Sequence, residues 1–338
     1  MFSAIYIEKA AKDCARAQSI LQKLPLLPVI EIEQYGEIFN RSNQNFRLQK
    51  QKPALILAQK HGNKVLPTPP GYGFEHLLES GQQPDPEQDR QGYYFSHMLN
   101  CVYDCRYCFL QGMYRSANYV LYTNFEDFTA EIIAKADNSG SVFYSGYDCD
   151  SLALEPISGF CDYFLPVFAR LPKSVLEIRT KSTQVRSFLE REPMPNCVIA
   201  MSFSPEAVAR AMEHKVPAVQ KRIDALGRLQ QAGWPVALRF EPVIASEDTL
   251  ADYKTLFEQI FRTIDPSSLH SSSLGEFRLP VDYYKRMVKL YPHEPLLARE
   301  TVRSEGMISL ATQQSFSLQA LEELLFHYIN EEGYYRCA

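Results

Sequence analysis

The chain has 338 residues, 46 % of them hydrophobic and 22 % charged, with a formal net charge of -5 at pH 7. That composition excludes a wholly disordered chain and lacks the basic signature of a protein that grips nucleic acid mainly through its phosphates, so any nucleic-acid site must be local. The longest apolar stretches, such as Pro25-Leu26-Leu27-Pro28-Val29-Ile30, fall short of the roughly 20 residues that cross a bilayer, and no membrane partner is expected.

The stretch from Met1 to Glu8 lacks a basic region followed by a long apolar run and a small-residue cleavage site, so a cytoplasmic location is expected. In a reducing compartment the eight cysteines read as free thiols or metal ligands rather than disulfides. The run Ala54-Leu55-Ile56-Leu57-Ala58 predicts a short buried strand packed on the rest of the protein. From Gly62 to Gln91, Pro67, Pro69, Pro70, Pro84 and Pro86 alternate with glycine and polar residues. Proline has a fixed φ and no amide donor, so this stretch predicts a long connection. It divides an N-terminal extension and linker (1–91) from the remainder (92–338).

Beyond it, apolar β-rich runs alternate with helical periods, the pattern of a mainly parallel sheet wrapped by helices. Strands are predicted near Tyr93 to Leu99, Ser141 to Gly146, Ser174 to Thr180, Cys197 to Phe203, Val236 to Val243 and Leu274 to Leu279. Helical patterns fall at Phe125 to Ala136, Pro156 to Arg170, Gln184 to Glu190, Val219 to Gln231 and Leu250 to Phe261, with a last amphipathic helix from Ser317 to Asn330. The expected fold is α/β, an incomplete (β/α)6 barrel with an N-terminal α/β extension and a C-terminal helical segment. Its functional residues should lie at the C-terminal ends of the strands, where the loops form one rim.

Directly after the first of these strands, Cys101, Cys105 and Cys108 are spaced C-x3-C-x2-C. A loop this short can wrap three thiolates around one corner of a [4Fe-4S] cubane and leave the fourth iron open to a chelating cofactor. A structural zinc site is the alternative, but zinc favours four closed ligands in paired knuckles, and no second C-x2-C or C-x2-H pair accompanies this one. Cys14, Cys161, Cys197 and Cys337 are isolated in sequence; each reads as a small hydrophobe, and Cys337, beside the C-terminus, as an exposed thiol.

The cysteine spacing, with Tyr107 just before the third cysteine, resembles the signature of radical S-adenosylmethionine (SAM) enzymes. The resemblance implies that the open iron binds the amine and carboxylate of SAM, and that reduction of the cluster cleaves SAM to methionine and a 5'-deoxyadenosyl radical. Along nearly the whole chain the sequence resembles the spore photoproduct lyase family of DNA-repair radical SAM proteins. The supporting stretches, in order, are Cys108-Phe109-Leu110-Gln111-Gly112-Met113, Asn118 to Asn124, Asp150 to Glu155, Arg179-Thr180-Lys181-Ser182, Met201-Ser202-Phe203-Ser204, Arg239 to Ile244 and Ser273 to Arg278.

By this resemblance Lys181 and Ser202 hold SAM, the lysine as a mobile charge near the carboxylate and the serine by hydrogen bonding. Gly146, ending the second strand, allows a close backbone approach to the SAM amine. An electron donor of the flavodoxin or ferredoxin type and a DNA substrate are the implied partners. The lyases carry a hydrogen-donating cysteine where Tyr147 stands in this chain. Cys149, two residues on, replaces it only if the loop stays extended. The lyases also pair the tyrosine before the third cysteine with another two positions later, to relay hydrogen toward SAM; here Tyr107 is kept and Phe109 has no hydroxyl.

Arg239, Glu241 and Arg278 read equally as substrate contacts or as a structural ion-pair network. Arg278, Lys285, Arg286 and Lys289 are candidate phosphate contacts, although cations on a helix are usually just solvated. Three functional readings stay open: a lyase-like radical SAM enzyme acting on a DNA pyrimidine lesion, the same chemistry on RNA, a peptide or a metabolite, and a non-catalytic iron-sulfur electron-transfer protein.

Overall fold

Runs of apolar residues without polar alternation fold as strands buried on both faces, as in a parallel sheet covered by helices. Six strands build the centre of the protein, largely apolar in β1, β2 and β4 and carrying charged or hydroxyl residues in β3, β5 and β6: β1 (Gly92–Phe95), β2 (Val142–Ser145), β3 (Val175–Thr180), β4 (Cys197–Ser202), β5 (Val236–Val243) and β6 (Ser271–Glu276). In this computed structural model, which describes residues 2–69, 92–136 and 140–337, the six lie side by side, parallel and in chain order. Val65–Pro67 adds antiparallel to β1 at one edge, and Tyr334–Arg336 adds parallel to β6 at the other. The result is an eight-stranded half-barrel.

Helices Phe125–Lys135, Phe160–Ala169, Val219–Gln231 and Thr249–Phe261 bury their apolar faces against this sheet. Their first two contribute Phe125, Phe128, Phe160, Phe164 and Phe168, all without solvent exposure. These rings interlock with Phe95 of β1, for example Phe160 on Phe164 at 4.9 Å and Phe95 on Phe164 at 5.2 Å. Edge and offset contacts of this kind add about 0.5–1.5 kcal/mol per pair beyond area burial.

The N-terminal part forms a second sheet in which Val29–Ile32, Ile5–Glu8, Leu55–Ala58 and Tyr119–Tyr122 run parallel, closed by Met98–Leu99 antiparallel to the last. The predicted strand at Ala54 to Ala58 is thus at the middle of a sheet, and strands from both sides of residue 91 share its hydrogen bonds. Beyond β6, Arg278–Pro280, Met307–Leu310 and Thr301–Ser304 make a three-stranded antiparallel sheet beside helix Val281–Leu290.

Several boundaries differ from the sequence reading. The strand expected at Tyr93 to Leu99 ends at Phe95, and Met98–Leu99 crosses to the other sheet. The last barrel strand covers Ser271–Glu276, and Arg278–Pro280 belongs to the antiparallel sheet. The helix expected from Pro156 to Arg170 breaks at Gly159, whose φ of 61° is left-handed. Gln184 to Glu190 contracts to Arg186–Leu189, and Ser317 to Asn330 to Leu318–Phe326, with the Ser317 side chain capping Ala320. Within the proline-rich connection Val65–Pro67 is a strand; residues 70–91 of it, including Pro70, Pro84 and Pro86, lie outside the described residues.

Candidate functional site

The C-terminal ends of β2 to β6 border a cavity of about 580 Å³. Cys101, Cys105 and Cys108 border it, as do Gly146, Tyr147 and Cys149 after β2, Thr180 and Lys181 at the end of β3, Ser202 ending β4, Glu241 on β5, and Gly275 and Glu276 on β6. Tyr107 lines it from the cysteine loop. The cavity lining therefore holds the three cysteines, Tyr107, Gly146, Tyr147, Cys149, Lys181 and Ser202 together, with Glu241 and Arg278, but not Arg239, Lys285, Arg286 or Lys289.

The cysteine loop is braced from three sides. Asn100, at φ 70°, donates through Nδ2 to the carbonyls of Ser116 and Asn118, both at 3.0 Å, and its Oδ1 accepts from the Cys101 amide at 2.9 Å. Asp104 and Cys105 pair antiparallel with His214 and Glu213, while the Arg106 amide donates to the Met212 carbonyl at 2.8 Å. The Asp104 carboxylate is held by Lys50 at 2.6 Å and Arg106 at 3.0 Å. Lys50 thus ties the N-terminal part directly to the cysteine loop.

Burial pushes the thiols of Cys101, Cys105 and Cys108 above the ordinary range. A metal group held by these thiols would have to displace their protons. Three thiols from one loop beside a cavity fit an iron-sulfur cluster with one open iron.

Behind the loop lies a buried polar network that sequence reasoning missed. The Tyr107 hydroxyl donates to Glu213 Oε1, which also accepts from Ser204 Oγ at 3.1 Å. Glu213 Oε2 accepts from Arg222 Nη2 at 2.6 Å, and Arg222 Nη1 donates to the Ser202 carbonyl at 2.8 Å. Burial opposes ionisation of Glu213, but Lys181 and Arg222 outweigh it and hold the carboxyl below its usual range. The Lys181 ammonium stands 3.9 Å from Glu213 and 5.7 Å from the centre of the Tyr107 ring.

Asp150 fixes the strand end that carries Lys181. Its carboxylate accepts from the Thr180 hydroxyl at 2.7 Å, the Lys181 amide at 2.6 Å and the Leu152 amide at 3.0 Å. On the β2 side, Gly146 has φ 85° and residues 147–149 bend, so the extended loop required for Cys149 to replace position 147 is not formed. Tyr147 instead packs on Tyr94, ring centroids 4.4 Å apart, and approaches Phe109 at 5.6 Å. Cys149 is buried in an apolar cluster with Met98 and Leu121, and burial pushes its thiol far up.

Two sequence readings are corrected. Arg239 is only 1 % exposed and pairs with the wholly buried Glu177 at 2.7 Å, so it is a structural ion pair behind the cavity; Glu241 and Arg278 are the members of that trio on the cavity wall. Cys337 is a partly buried residue of the cavity lining, brought there by the edge strand Tyr334–Arg336. Of the candidate phosphate contacts, Arg286 donates to the Met113 carbonyl at 3.1 Å and so helps hold its helix to the segment after the cysteines.

A half-barrel of parallel strands with a C-x3-C-x2-C loop on its C-terminal rim is the fold of the radical SAM class. A family model described as spore photoproduct lyase matches residues 85–304, and the chain belongs to that family. Over 200 residues it is 20 % identical to a spore photoproduct lyase of Clostridium acetobutylicum, a match that covers 58 % of this chain and 59 % of that protein, less than two thirds of its length. Among solved structures it is similar to spore photoproduct lyase complexed with dinucleoside spore photoproduct, with a TM-score of 0.79 at 16 % identity, covering 100 % of this chain and 98 % of that one. A mutant of spore photoproduct lyase with bound AdoMet and dinucleoside spore photoproduct superposes with a TM-score of 0.77 at 16 % identity and the same coverage. Among the described residues no helix is long and apolar enough to cross a membrane.

Proposed function

We propose that this chain is a cytoplasmic radical SAM enzyme that holds a [4Fe-4S] cluster on Cys101, Cys105 and Cys108, binds SAM with Gly146, Lys181 and Ser202, and acts on a DNA pyrimidine lesion of the spore photoproduct kind. The single observation that carries this reading is the meeting of all six residues around one cavity. When bound, the cluster would supply one-electron cleavage of SAM to methionine and a 5'-deoxyadenosyl radical, with the electron coming from a flavodoxin- or ferredoxin-type donor.

The chain's own residues divide the remaining work. Gly146 exposes backbone beside the cavity, Lys181 offers a cation to a carboxylate, and Ser202 offers a hydroxyl. Tyr107, tied to Glu213, keeps the third cysteine's approach rigid. The aromatic wall of Tyr147 and Phe109 gives a flipped-out base an apolar surface, at an unstacking cost of a few kcal/mol that a lesion lowers. The cavity also argues against a purely electron-transferring iron-sulfur protein, which closes all four iron positions and has no use for a cofactor-sized space.

A second reading, the same chemistry on RNA, a peptide or a metabolite, is favoured by Tyr147 and Phe109, which stand where the lyases carry a cysteine and a tyrosine. Anaerobic reconstitution with iron and sulfide, followed by SAM and dithionite, separates the two. 5'-Deoxyadenosine together with restored thymines from an oligonucleotide bearing spore photoproduct supports lesion repair. 5'-Deoxyadenosine without repair transfers the reading to another substrate, and no 5'-deoxyadenosine refutes both.

A further inference from the structure

Cys337 reaches the cavity by a route that the sequence conceals. Tyr334–Arg336 pairs in register with β6, Ser272 opposite Tyr334, Ser273 opposite Tyr335 and Leu274 opposite Arg336, and the Cys337 amide donates to the Leu274 carbonyl at 2.8 Å. The strand is anchored on both sides: Arg336 is hydrogen-bonded to Glu322, and Tyr335 is 3 % exposed, with its hydroxyl 3.4 Å from Arg179. One residue further, the chain passes over Gly275, where an added Cβ would stand 3.2 Å from the Cys337 Cβ and 3.1 Å from the Glu241 Cγ. Gly275 therefore leaves the space in which the thiol and the Glu241 carboxyl meet at the cavity wall.

This thiol stands on the opposite flank of the half-barrel from Tyr147 and Cys149, which follow β2. Burial, reinforced by Glu241, pushes it up to about 12. It therefore stays S–H, the form that can give up a hydrogen atom. Cys149, although it borders the cavity, is packed into the apolar cluster beneath the N-terminal sheet.

Given the radical chemistry proposed above, on which this rests, we propose that Cys337 is the hydrogen-atom donor to the substrate carbon radical, with Glu241 as its proton partner. In this step the Cys337 S–H bond breaks homolytically and a substrate C–H bond forms. The carbon radical is quenched, and the unpaired electron passes to the Cys337 sulfur. One electron from the low-potential donor that serves the cluster, together with one proton delivered through Glu241, then restores the thiol. No thiol is required at position 147, where this chain has tyrosine.

The test uses the full reconstituted chain in D2O with SAM, dithionite and dinucleoside spore photoproduct, comparing the unsubstituted protein with Cys337→Ala, Cys337→Ser and Cys149→Ala. Serine keeps the size and the contact with Glu241, while its stronger O–H bond does not yield the hydrogen atom. The expected result is solvent deuterium in the repaired dinucleoside from the unsubstituted protein, and loss of that deuterated product relative to 5'-deoxyadenosine in both Cys337 variants. Labelling of Cys337 by a small methanethiosulfonate, read by peptide mass spectrometry, should be slowed by the dinucleoside. Deuterated product that persists in the Cys337 variants, or that disappears with Cys149→Ala instead, overturns the assignment, as does labelling indifferent to the dinucleoside. Absence of 5'-deoxyadenosine from the unsubstituted protein sinks the parent reading and this one with it, an outcome distinct from 5'-deoxyadenosine formed with Cys337 idle.

Discussion

Arg222 and Glu213 form an ion pair at 2.6 Å with side chains 0 % and 1 % exposed, directly behind the loop that carries the cysteines. Glu213 comes from the segment that pairs with Cys105, and Arg222 comes from helix Val219–Gln231. The pair therefore fastens a barrel helix to the candidate ligand loop and, through the Ser202 carbonyl, to the end of β4. Removing Arg222 leaves the buried Glu213 carboxylate with Lys181 at 3.9 Å as its remaining cation, so the cost is at most that of a fully uncompensated buried charge, about 3–5 kcal/mol. Arg222→Met is expected to lower the stability of the apoprotein by up to that amount in urea denaturation. A loss within the error of the measurement would show that the pair contributes nothing net.

Alanine in place of Cys101, Cys105 or Cys108 should each remove cluster assembly, since a cubane held by three thiolates has no spare protein ligand. Iron and sulfide content and the visible charge-transfer absorbance of anaerobically reconstituted protein read this directly, without any turnover. Full iron content in all three variants would falsify the ligand assignment.

Lys181 is placed by Asp150, whose carboxylate accepts from its backbone amide. Lys181→Met removes the cation and leaves that hydrogen bond intact. A lost charge-assisted contact of about 1.5–3 kcal/mol should appear as weaker SAM binding to the reconstituted protein by equilibrium dialysis. Asp150→Ala acts differently, because it strands buried donors on Thr180, Lys181 and Leu152. It should reduce folding stability as well as SAM affinity.

Most of the barrel is legible because β2, β4 and the start of β5 are apolar runs bounded by turn residues, and Val219–Gln231 is legible to the residue because Gly233, with φ 87°, follows its end. Ile5–Glu8 and Val29–Ile32 were missed. Each is four residues long, and its strand character comes from parallel partners far away in sequence, not from local pattern. Ser271-Ser272-Ser273 reads as a loop by composition, yet in β6 all three serines are buried, Ser271 and Ser273 on one face of the strand and Ser272 on the other. Ser271 there accepts from Arg239 at 3.0 Å. Glu213 and Arg222 carried no motif, since a network of this kind is assembled only by folding. Cys337 reads as an exposed thiol in the sequence because nothing in three residues of Tyr-Tyr-Arg shows that they extend an eight-stranded sheet.

His97 gives the protein a pH dependence of its own. Its ring is 1 % exposed, packs 4.5 Å from the Phe160 ring, and burial lowers it from 6.5 to about 3. The folded state keeps the imidazole neutral while the unfolded chain takes up a proton below pH 6.5. The unfolded state then binds more protons, so stability rises with pH across that window and is lost as the pH falls from 6.5 toward 3. His97→Leu should flatten this part of the profile of urea midpoints against pH. A profile that keeps its slope in the variant assigns the acid sensitivity to other groups.

Gly146 offers the sharpest test of the cofactor side of the cavity. Its φ of 85° lies where side chains are strained, and a Cβ there would stand 3.0 Å from the Cys149 carbonyl and press on the Ser151 hydroxyl. That hydroxyl is bonded to Ser145 at 2.8 Å, so it cannot move aside without disturbing the end of β2. Forcing a non-glycine residue into such a conformation costs on the order of 1–3 kcal/mol. Gly146→Ala should therefore lower the thermal midpoint and weaken SAM binding together, while the iron content set by the separate cysteine loop remains complete. If SAM binds the variant as it binds the unsubstituted protein, the backbone at Gly146 does not touch the cofactor, and its glycine serves only the turn.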